Sequence, residues 1–192
     1  MAPLLLPEEC IILLIDPLRR NIERTDNRDG NHRALANRHA LIQKAARVLD
    51  VPKFFAVYGE PDTADEREWI ARPCNRSQLR VYAIRPTGSL WSGSGIGAAL
   101  AQEGRACLVL CGFWLEGSIT FAALNALADG FDVFVLLDAC PSCDKRAESA
   151  AVDRLLQAGV VPLTTTQMVR EWAEDATDES RRSLLLDLLQ PT

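Results

Sequence analysis

Short runs of apolar residues recur along this chain, and segments with apolar residues at helical spacing separate most of them. The clearest run is CIILLI, Cys10 to Ile15, which ends at Asp16 and Pro17. A wholly apolar run of this length is typical of a strand that is buried on both faces. Strands that alternate with helices favour a mostly parallel sheet covered on both sides, so we expect an α/β fold.

The same pattern gives a full set of elements. The predicted strands are Cys10–Ile15, Phe54–Val57, Arg80–Ile84, Ala106–Cys111, Asp132–Leu137 and Val160–Leu163. The predicted helices are Arg33–Leu49, Gly95–Gln102, Ser118–Ala128, Lys145–Ala158, a helix capped within Thr164–Thr166 that runs to Glu174, and Glu179–Leu189. Residues 60–78 are charged and irregular, with one helical turn expected around Trp69. Because no repeat or linker interrupts this order, we predict one domain over residues 1–192.

Composition narrows the function classes. The net charge is −5, and the lysines and arginines are scattered, which argues against nucleic acid as the main partner. No apolar run approaches the roughly 18 residues that a membrane span needs. The first ten residues, MAPLLLPEEC, lack the basic region of a signal peptide. We therefore expect a cytoplasmic protein, without a membrane partner, whose six cysteines are reduced thiols.

The pair Cys140-Pro-Ser-Cys143 has the spacing of redox-active and zinc-binding thiols. A structural zinc site usually needs four ligands, and the sequence has no second close pair. The two histidines, His32 and His39, lie far away in the sequence. We favour two thiols in a loop between a strand and a helix, and we predict no metal.

The segment from Gly93 to Ala98 matches the spacing of the dinucleotide-binding motif, G-x-G-x-x-A. That motif requires its glycines directly after a strand, and an acidic residue at the end of the next strand. Here residues 85–92 follow the predicted strand, and the next strand ends at Cys111. We therefore expect no nucleotide cofactor and interpret the glycines as a flexible approach to a short helix.

Two polar residues follow predicted strands where open α/β sheets bind ligands, at the strands' carboxyl ends. Asp16 follows the first strand, and it is either a site residue or a turn residue before Pro17. Ser118 begins the helix after the fourth strand, but no nucleophile-elbow motif surrounds it. We place His32 and His39 on the solvated edge of the first long helix, so a Ser-His-Asp triad is disfavoured.

Longer segments carry a resemblance to a known family. They are LLIDPLRRNI, DVPKFFAVYGEP, VYAIRPTGSLW, LVLCGFWLEGSITFAALNALADGFDVFVLLDAC and AAVDRLLQAGVVPLTTTQMVREWAEDA. Together they resemble the isochorismatase-like, or cysteine hydrolase, superfamily over nearly the whole chain. The resemblance implies a three-layer α/β/α sandwich with a doubly wound, six-stranded parallel sheet of order 3-2-1-4-5-6. In that order Asp16 and Ser118 face one crevice.

The resemblance also assigns catalytic positions. Amidases of this family use Asp, Lys and Cys together, and these places are held here by Asp16, Arg85 and Ser118. A cis peptide between Phe113 and Trp114 would help backbone N–H groups to hold an oxyanion. Trp91 stands at the family's aromatic position, so we expect Phe113, Trp114 and Trp91 to line the substrate pocket.

The sequence departs from the family pattern at several positions that matter for catalysis. Serine is a weaker nucleophile than cysteine, and arginine cannot release a proton near neutral pH. Leu18 replaces the family's glutamine, and the segment Tyr58–Asp62 has no histidine for the metal of the nicotinamidase branch.

Two main hypotheses follow from these departures. One is an isochorismatase-like hydrolase that acts on an amide or related bond of a small molecule with altered machinery. The other is a catalytically silent member that binds a small molecule or builds an assembly. The isochorismatase reaction, which does not need the cysteine, stays formally open. The family commonly forms homo-oligomers, and the leucines of the last helix (184–186, 188 and 189) pack either on a neighbour or on their own chain.

Overall fold

A single parallel sheet organises the computed structural model, which describes residues 4–25, 31–59, 69–71, 79–85 and 88–190. The six strands are β1 (Cys10–Ile15), β2 (Lys53–Tyr58), β3 (Arg80–Ile84), β4 (Cys107–Gly112), β5 (Asp132–Leu136) and β6 (Val161–Leu163). Their order, β3-β2-β1-β4-β5-β6, confirms the predicted fold. The α-helices are α1 (Arg19–Ile22), α2 (Asn31–Val48), α3 (Leu90–Gly93), α4 (Ile96–Ala101), α5 (Thr120–Ala128), α6 (Lys145–Ala158), α7 (Thr165–Asp175) and α8 (Glu179–Asp187). Short 3-10 turns span Pro7–Glu9 and Leu137–Ala139.

The two central strands, β1 and β4, form the core of the sheet. Every residue of both strands is buried, as expected for strands covered by helices on both faces. They pair in parallel from Cys10 beside Cys107 to Ile15 beside Gly112. The strand order reverses between them, because β2 lies on one side of β1 and β5 on the other side of β4. Open sheets of this kind bind ligands at the carboxyl ends of the strands on either side of such a reversal.

Gly112 allows the carboxyl ends of β1 and β4 to approach closely. Its φ of 124° lies in a region that L side chains rarely adopt. A Cβ atom at this position would lie 2.0 Å from the carbonyl oxygen of Ile15. The next amide, Phe113 N–H, donates to that same carbonyl oxygen at 2.9 Å. Glycine is therefore required for the chain to leave β4 directly beside the end of β1.

Side-chain caps set the ends of the helices that follow β5 and β6. Asp144 caps α6 by accepting hydrogen bonds from the N–H groups of Arg146 and Ala147. Gly159 ends that helix with a φ of 96°. Thr164 and Gln167 form a capping box at the start of α7, so both helices begin where the sequence predicts.

Several local predictions differ from the structure. His39 is fully buried rather than on a solvated edge, because α2 turns that face toward the sheet and the 3-10 turn after β5. The short helices α1 and α3 were not predicted, since single turns carry little periodicity. A π-helical turn, Leu115–Ile119, precedes α5 and contains Ser118. The irregular segment predicted over residues 60–78 lies outside the described residues, apart from Trp69–Ala71.

The glycines of the dinucleotide-like motif have packing roles. Gly95 caps α4 with a φ of 76°. A Cβ atom on Gly97 would lie 2.7 Å from Trp91 Nε1, so this glycine lets α4 pack against the indole ring. The motif therefore begins at the last residue of helix α3, and its glycines do not directly follow a strand.

Helix α8 packs on its own chain with one face only. Leu185 is fully buried in the core, and Leu188 and Leu189 are half-buried against it. Leu184 and Leu186 are 53% and 38% exposed. The described ranges contain no helix that is both long enough and apolar enough to cross a membrane.

Candidate active site

Asp16 lies directly after β1 with its carboxylate almost fully engaged by its own chain. Its φ of 46° is in the left-handed region, which turns the chain sharply at the strand end. Oδ1 accepts hydrogen bonds from Arg20 Nη2 at 3.0 Å and from the Tyr58 N–H at 3.2 Å. Oδ2 accepts from Asn21 Nδ2 at 2.6 Å. The residue is 6% exposed, and its buried carboxylate is compensated by one cation and two further donors.

Tyr58 connects this carboxylate to Ser118. It is the last residue of β2, and β2 lies beside β1. Its hydroxyl shares a hydrogen bond with Ser118 Oγ, with 2.8 Å between the two oxygens. Its carbonyl oxygen accepts from Arg20 Nη2 at 2.8 Å, so Arg20 contacts both Asp16 and Tyr58. Asp16 and Ser118 therefore lie in one hydrogen-bonded network at the carboxyl edge of the sheet.

The turn that carries Ser118 is built around Trp114. The peptide bond between Phe113 and Trp114 is cis, as the family resemblance implies. The carbonyl oxygen of Trp114 accepts from the N–H groups of Gly117 and Ile119, both at 3.1 Å. These bonds close the π-helical turn and leave Ser118 half-buried at the end of β4.

Phe113 and Trp114 occupy different environments. Phe113 is 1% exposed and packs with Ile22, Leu35 and Ile70 in a small cluster. It also stacks on the buried ring of His39, with 6.2 Å between ring centroids. Trp114 is half-buried, and the guanidinium of Arg24 lies 5.9 Å from its ring centroid. Of these two aromatic residues, Trp114 is the one with surface available to a ligand.

The structure does not bring Arg85 and Trp91 into this network. Arg85 follows β3 at the same edge of the sheet, and it is exposed. Trp91 is buried, donates to Asp129 Oδ2 at 2.7 Å and packs against Phe131, which directly precedes β5. Phe131 lies at the amino end of its strand, so Trp91 lies toward the sheet edge opposite Asp16 and Ser118.

The cysteines near this edge have raised pKa values. Burial raises the pKa of Cys111 and of Cys140 well above the ordinary thiol value. Cys143 is exposed, and partial desolvation together with its hydrogen bond to Glu116 raises its pKa to about 11. Glu116 also accepts from Ser142 Oγ at 2.8 Å. These thiols are poor candidates to replace the missing nucleophile, because the thiolate is the reactive form.

The described part of the chain contains no group of three His, Cys, Asp or Glu side chains placed to hold a metal ion. Cys140 is buried and hydrogen-bonds the carbonyl oxygen of Leu110, with 3.8 Å between sulfur and oxygen. Cys143 faces solvent on the following loop. The two thiols therefore lie in different environments, as expected for cysteines in a loop between a strand and a helix.

Comparison with known proteins fixes the family. Residues 10–167 match the Isochorismatase domain, which is most of the chain. The chain belongs to the isochorismatase family. It is 32% identical over 99 residues to the probable hydrolase YcaC of Escherichia coli, a segment that covers 49% of this chain and 48% of YcaC. The match thus spans about half the length of that relative.

Solved structures of two YcaC proteins show the same fold over a longer range. YcaC from Pseudomonas aeruginosa, in a structure with hexane-2,5-diol and covalent acrylamide, has a TM-score of 0.77 and 21% identity over 98% of this chain and 92% of its own. The YcaC gene product of Escherichia coli, an octameric hydrolase of unknown specificity, gives the same TM-score, identity and coverage. At this identity the likeness establishes the fold and not the chemistry.

The sequence of this isochorismatase-family chain did not lead us to three members of the network: Arg20, Asn21 and Tyr58. Arg20 and Asn21 lie about one helical turn beyond Asp16, so a helix starting after Pro17 would have placed them over the carboxylate. The predicted second strand ended at Val57, one residue before Tyr58, so Tyr58 was not identified as a residue at a strand end. Its position at the end of a strand next to β1 was the available signal, because carboxyl ends of neighbouring parallel strands meet at one edge.

Proposed function

We propose that this protein is a hydrolase of the isochorismatase family that cleaves an amide C–N bond, or a related bond, in a small molecule. The observation that carries the proposal is the hydrogen-bonded connection from Asp16 through Tyr58 to Ser118 at the carboxyl edge of the sheet. It joins the family's acidic position to its nucleophile position. Asp16 serves the acid–base chemistry, either directly or through the group that it holds.

Ser118 in this proposal is a weak nucleophile or positions a water molecule. A serine hydroxyl needs an activating partner, and both histidines are unsuitable, since they lie on α2 and His39 is buried against Ala139 and Phe113. Arg85, exposed at the same edge, is suited to bind an anionic group of the substrate. Trp114 supplies an aromatic surface to the substrate, while Phe113 is buried and packs beneath the surface in the cluster with Ile22 and Leu35. Trp91 is left out, because it packs toward the opposite edge.

A second candidate is favoured by the engagement of Asp16. The carboxylate contacts described above are all with hydrogen-bond donors of the protein itself. Carboxylates with a structural role have their hydrogen bonds satisfied in this way. Under this alternative the protein binds a small molecule without turning it over. The two candidates differ in whether Ser118 chemistry can be detected.

Turnover on a panel of small amides, ureas and isochorismate separates these candidates. A small amide is the first probe, because the family resemblance implies cleavage of an amide C–N bond. The wild-type protein is compared with Ser118→Ala, Ser118→Cys and Arg85→Lys. We expect wild-type turnover that Ser118→Ala reduces by about 100-fold, the scale of a lost activated nucleophile or acid–base contact. A wild-type protein without activity beside an active Ser118→Cys, Arg85→Lys double variant would instead support the binding protein.

We also propose that the protein assembles with copies of itself. The exposed leucines of α8, Leu184 and Leu186, and Phe121 on α5, which is 61% exposed, offer apolar surface. The octameric state of the Escherichia coli YcaC gene product supports the same idea. Light scattering tests it directly, with Leu184→Glu expected to reduce the measured mass. A wild-type protein with the mass of one chain would contradict it.

A further inference from the structure

Tyr58 has the geometry of a reacting group. Its hydroxyl oxygen lies 2.8 Å from Ser118 Oγ, within normal hydrogen-bond distance. The three positions that the family resemblance supplies are Asp16, Arg85 and Ser118, so Tyr58 stands outside them. Among the side-chain hydrogen bonds described for Ser118, this contact with Tyr58 is the one present, and no described bond joins Ser118 to Asp16.

The backbone of Tyr58 is held on both sides. Its N–H donates to Asp16 Oδ1 at 3.2 Å, and its carbonyl oxygen accepts from Arg20 Nη2 at 2.8 Å. Arg20 also donates to Asp16 Oδ1 at 3.0 Å, which links the two contacts. The direction of the Tyr58 side chain follows from its fixed place at the end of β2, so Asp16 and Arg20 orient the phenol toward Ser118.

We propose that Tyr58 is a catalytic residue that transfers protons between Ser118 and the leaving group. This proposal rests on the function proposed above. As Ser118 Oγ forms its bond to the substrate carbonyl carbon, its proton passes to Tyr58 Oη. The proton that Tyr58 Oη held passes to the leaving nitrogen as the C–N bond breaks. Tyr58 ends neutral, the leaving group departs as a neutral amine, and the acyl group remains on Ser118 Oγ as an ester. Water then attacks that ester carbonyl, one of its protons passes through Tyr58 Oη to Ser118 Oγ as the ester C–O bond breaks, and the carboxylic acid is released without a histidine.

This assignment changes the part played by Asp16. In the family pattern the aspartate takes the proton of the nucleophile. Here Asp16 Oδ1 accepts from the backbone N–H of Tyr58 and from Arg20, and Oδ2 accepts from Asn21. Asp16 and Arg20 are positioning residues that act through Tyr58, and the phenol touches the nucleophile.

A double-mutant cycle tests the proton transfer. Tyr58→Phe removes one oxygen and keeps the ring, and we expect it to lower kcat by about 100-fold, the lower range for acid–base catalysis. In a Ser118→Ala background the same change should have no further effect, because the two groups act as a unit. Tyr82→Phe is the matched control. The chain has two tyrosines, and Tyr82 lies on β3 beside the ring of Phe54.

A second measurement does not depend on turnover. In Ser118→Cys, iodoacetamide alkylation of the introduced thiol is followed against pH by mass spectrometry of its own peptide. A phenol that donates to the thiolate lowers the thiol pKa, so Tyr58→Phe should raise the alkylation midpoint by about one pH unit. Tyr82→Phe should leave that midpoint unchanged.

The outcomes separate this proposal from the proposed function. If the wild-type protein turns over none of the panel, the proposed function fails and the proton transfer with it. If turnover is found but Tyr58→Phe costs less than about threefold, or acts equally in the Ser118→Ala background, the proton transfer alone is overturned. Equal alkylation midpoints with and without the phenol overturn it as well.

Discussion

The two ends of β1 are each held by one arginine, and the two arginines contact different kinds of acceptor. At the amino end, Arg105 Nη1 donates to the carbonyl oxygens of Pro7 and Cys10 at 3.1 and 3.0 Å. At the carboxyl end, Arg20 Nη2 donates to the Asp16 carboxylate and to the Tyr58 carbonyl oxygen. Among the residues that the structure describes, Arg105 therefore donates to backbone carbonyl groups, whereas Arg20 binds a carboxylate and the residue that contacts Ser118. Under the proposed function, the amino end of β1 has a structural role and the carboxyl end carries the candidate site.

The largest expected effect is on stability, and it compares alanine substitutions at two glycines: Gly112 at the carboxyl end of β4 and Gly104 shortly before its amino end. Gly112→Ala should lower the free energy of unfolding by about 4 kcal/mol, because of its positive φ and the collision with Ile15. Gly104, before the amino end, has a φ of 66° with nothing within 4 Å of an added Cβ. Gly104→Ala should cost about 1 kcal/mol. Urea unfolding measures both, and similar losses would remove the special status of the carboxyl end.

A buried imidazole makes the carboxyl side sensitive to acid. Burial lowers the pKa of His39 from 6.5 to about 4, while its hydrogen bond with the Ala139 carbonyl opposes the change. Between these two values the unfolded chain binds a proton that the folded protein does not. The free energy of unfolding therefore falls as the pH falls through this range, by about 3 kcal/mol in total.

The control for this acid effect is His39→Gln, which cannot titrate. The difference in unfolding free energy between the wild-type protein and this variant should shrink as the pH falls from 6.5 to 4. Unfolding in urea at a series of pH values measures it. A difference that stays constant over this range would show that His39 is not held neutral in the folded state.

The smallest expected effects come from the two arginines themselves. Arg105→Met should cost about 2 kcal/mol of stability, because two backbone acceptors lose a charged donor, and it should leave turnover unchanged. Arg20 is 53% exposed, so Arg20→Met should cost less than about 1 kcal/mol but lower turnover about tenfold through Tyr58. Thermal unfolding and kcat are measured for both variants. Equal effects on turnover would erase the distinction between the two ends.

The strands could be predicted from the sequence because a strand that is buried on both faces consists of an unbroken run of apolar residues. Cys10–Ile15 was found with its observed bounds, since a wholly apolar run admits few other interpretations. The strand order came from the family resemblance and not from the runs, which carry no information about neighbours. The π-helical turn at Ser118 was missed, because a single turn has no period to detect.

The candidate site was predictable in place but not in its contacts. Asp16 and Ser118 follow adjacent central strands, and strand ends can be read from the sequence. The contact between Tyr58 and Ser118 depends on where two side chains meet across the sheet edge, which spacing alone does not give. For Trp91, the family resemblance suggested a place in the substrate pocket. In the structure its ring packs against Gly97 and Phe131, toward the opposite edge of the sheet.

The strand order also has a consequence for how the chain folds. The bond from Tyr58 to Asp16 joins residues 42 apart in sequence, and that from Tyr58 to Ser118 joins residues 60 apart. Each requires a long loop to close, and contacts of this kind form slowly. The network is complete only after β1 has gained β2 on one side and β4 on the other. During refolding, helical signal should therefore return before the ability to react at Ser118, and a partly assembled sheet would be chemically inert.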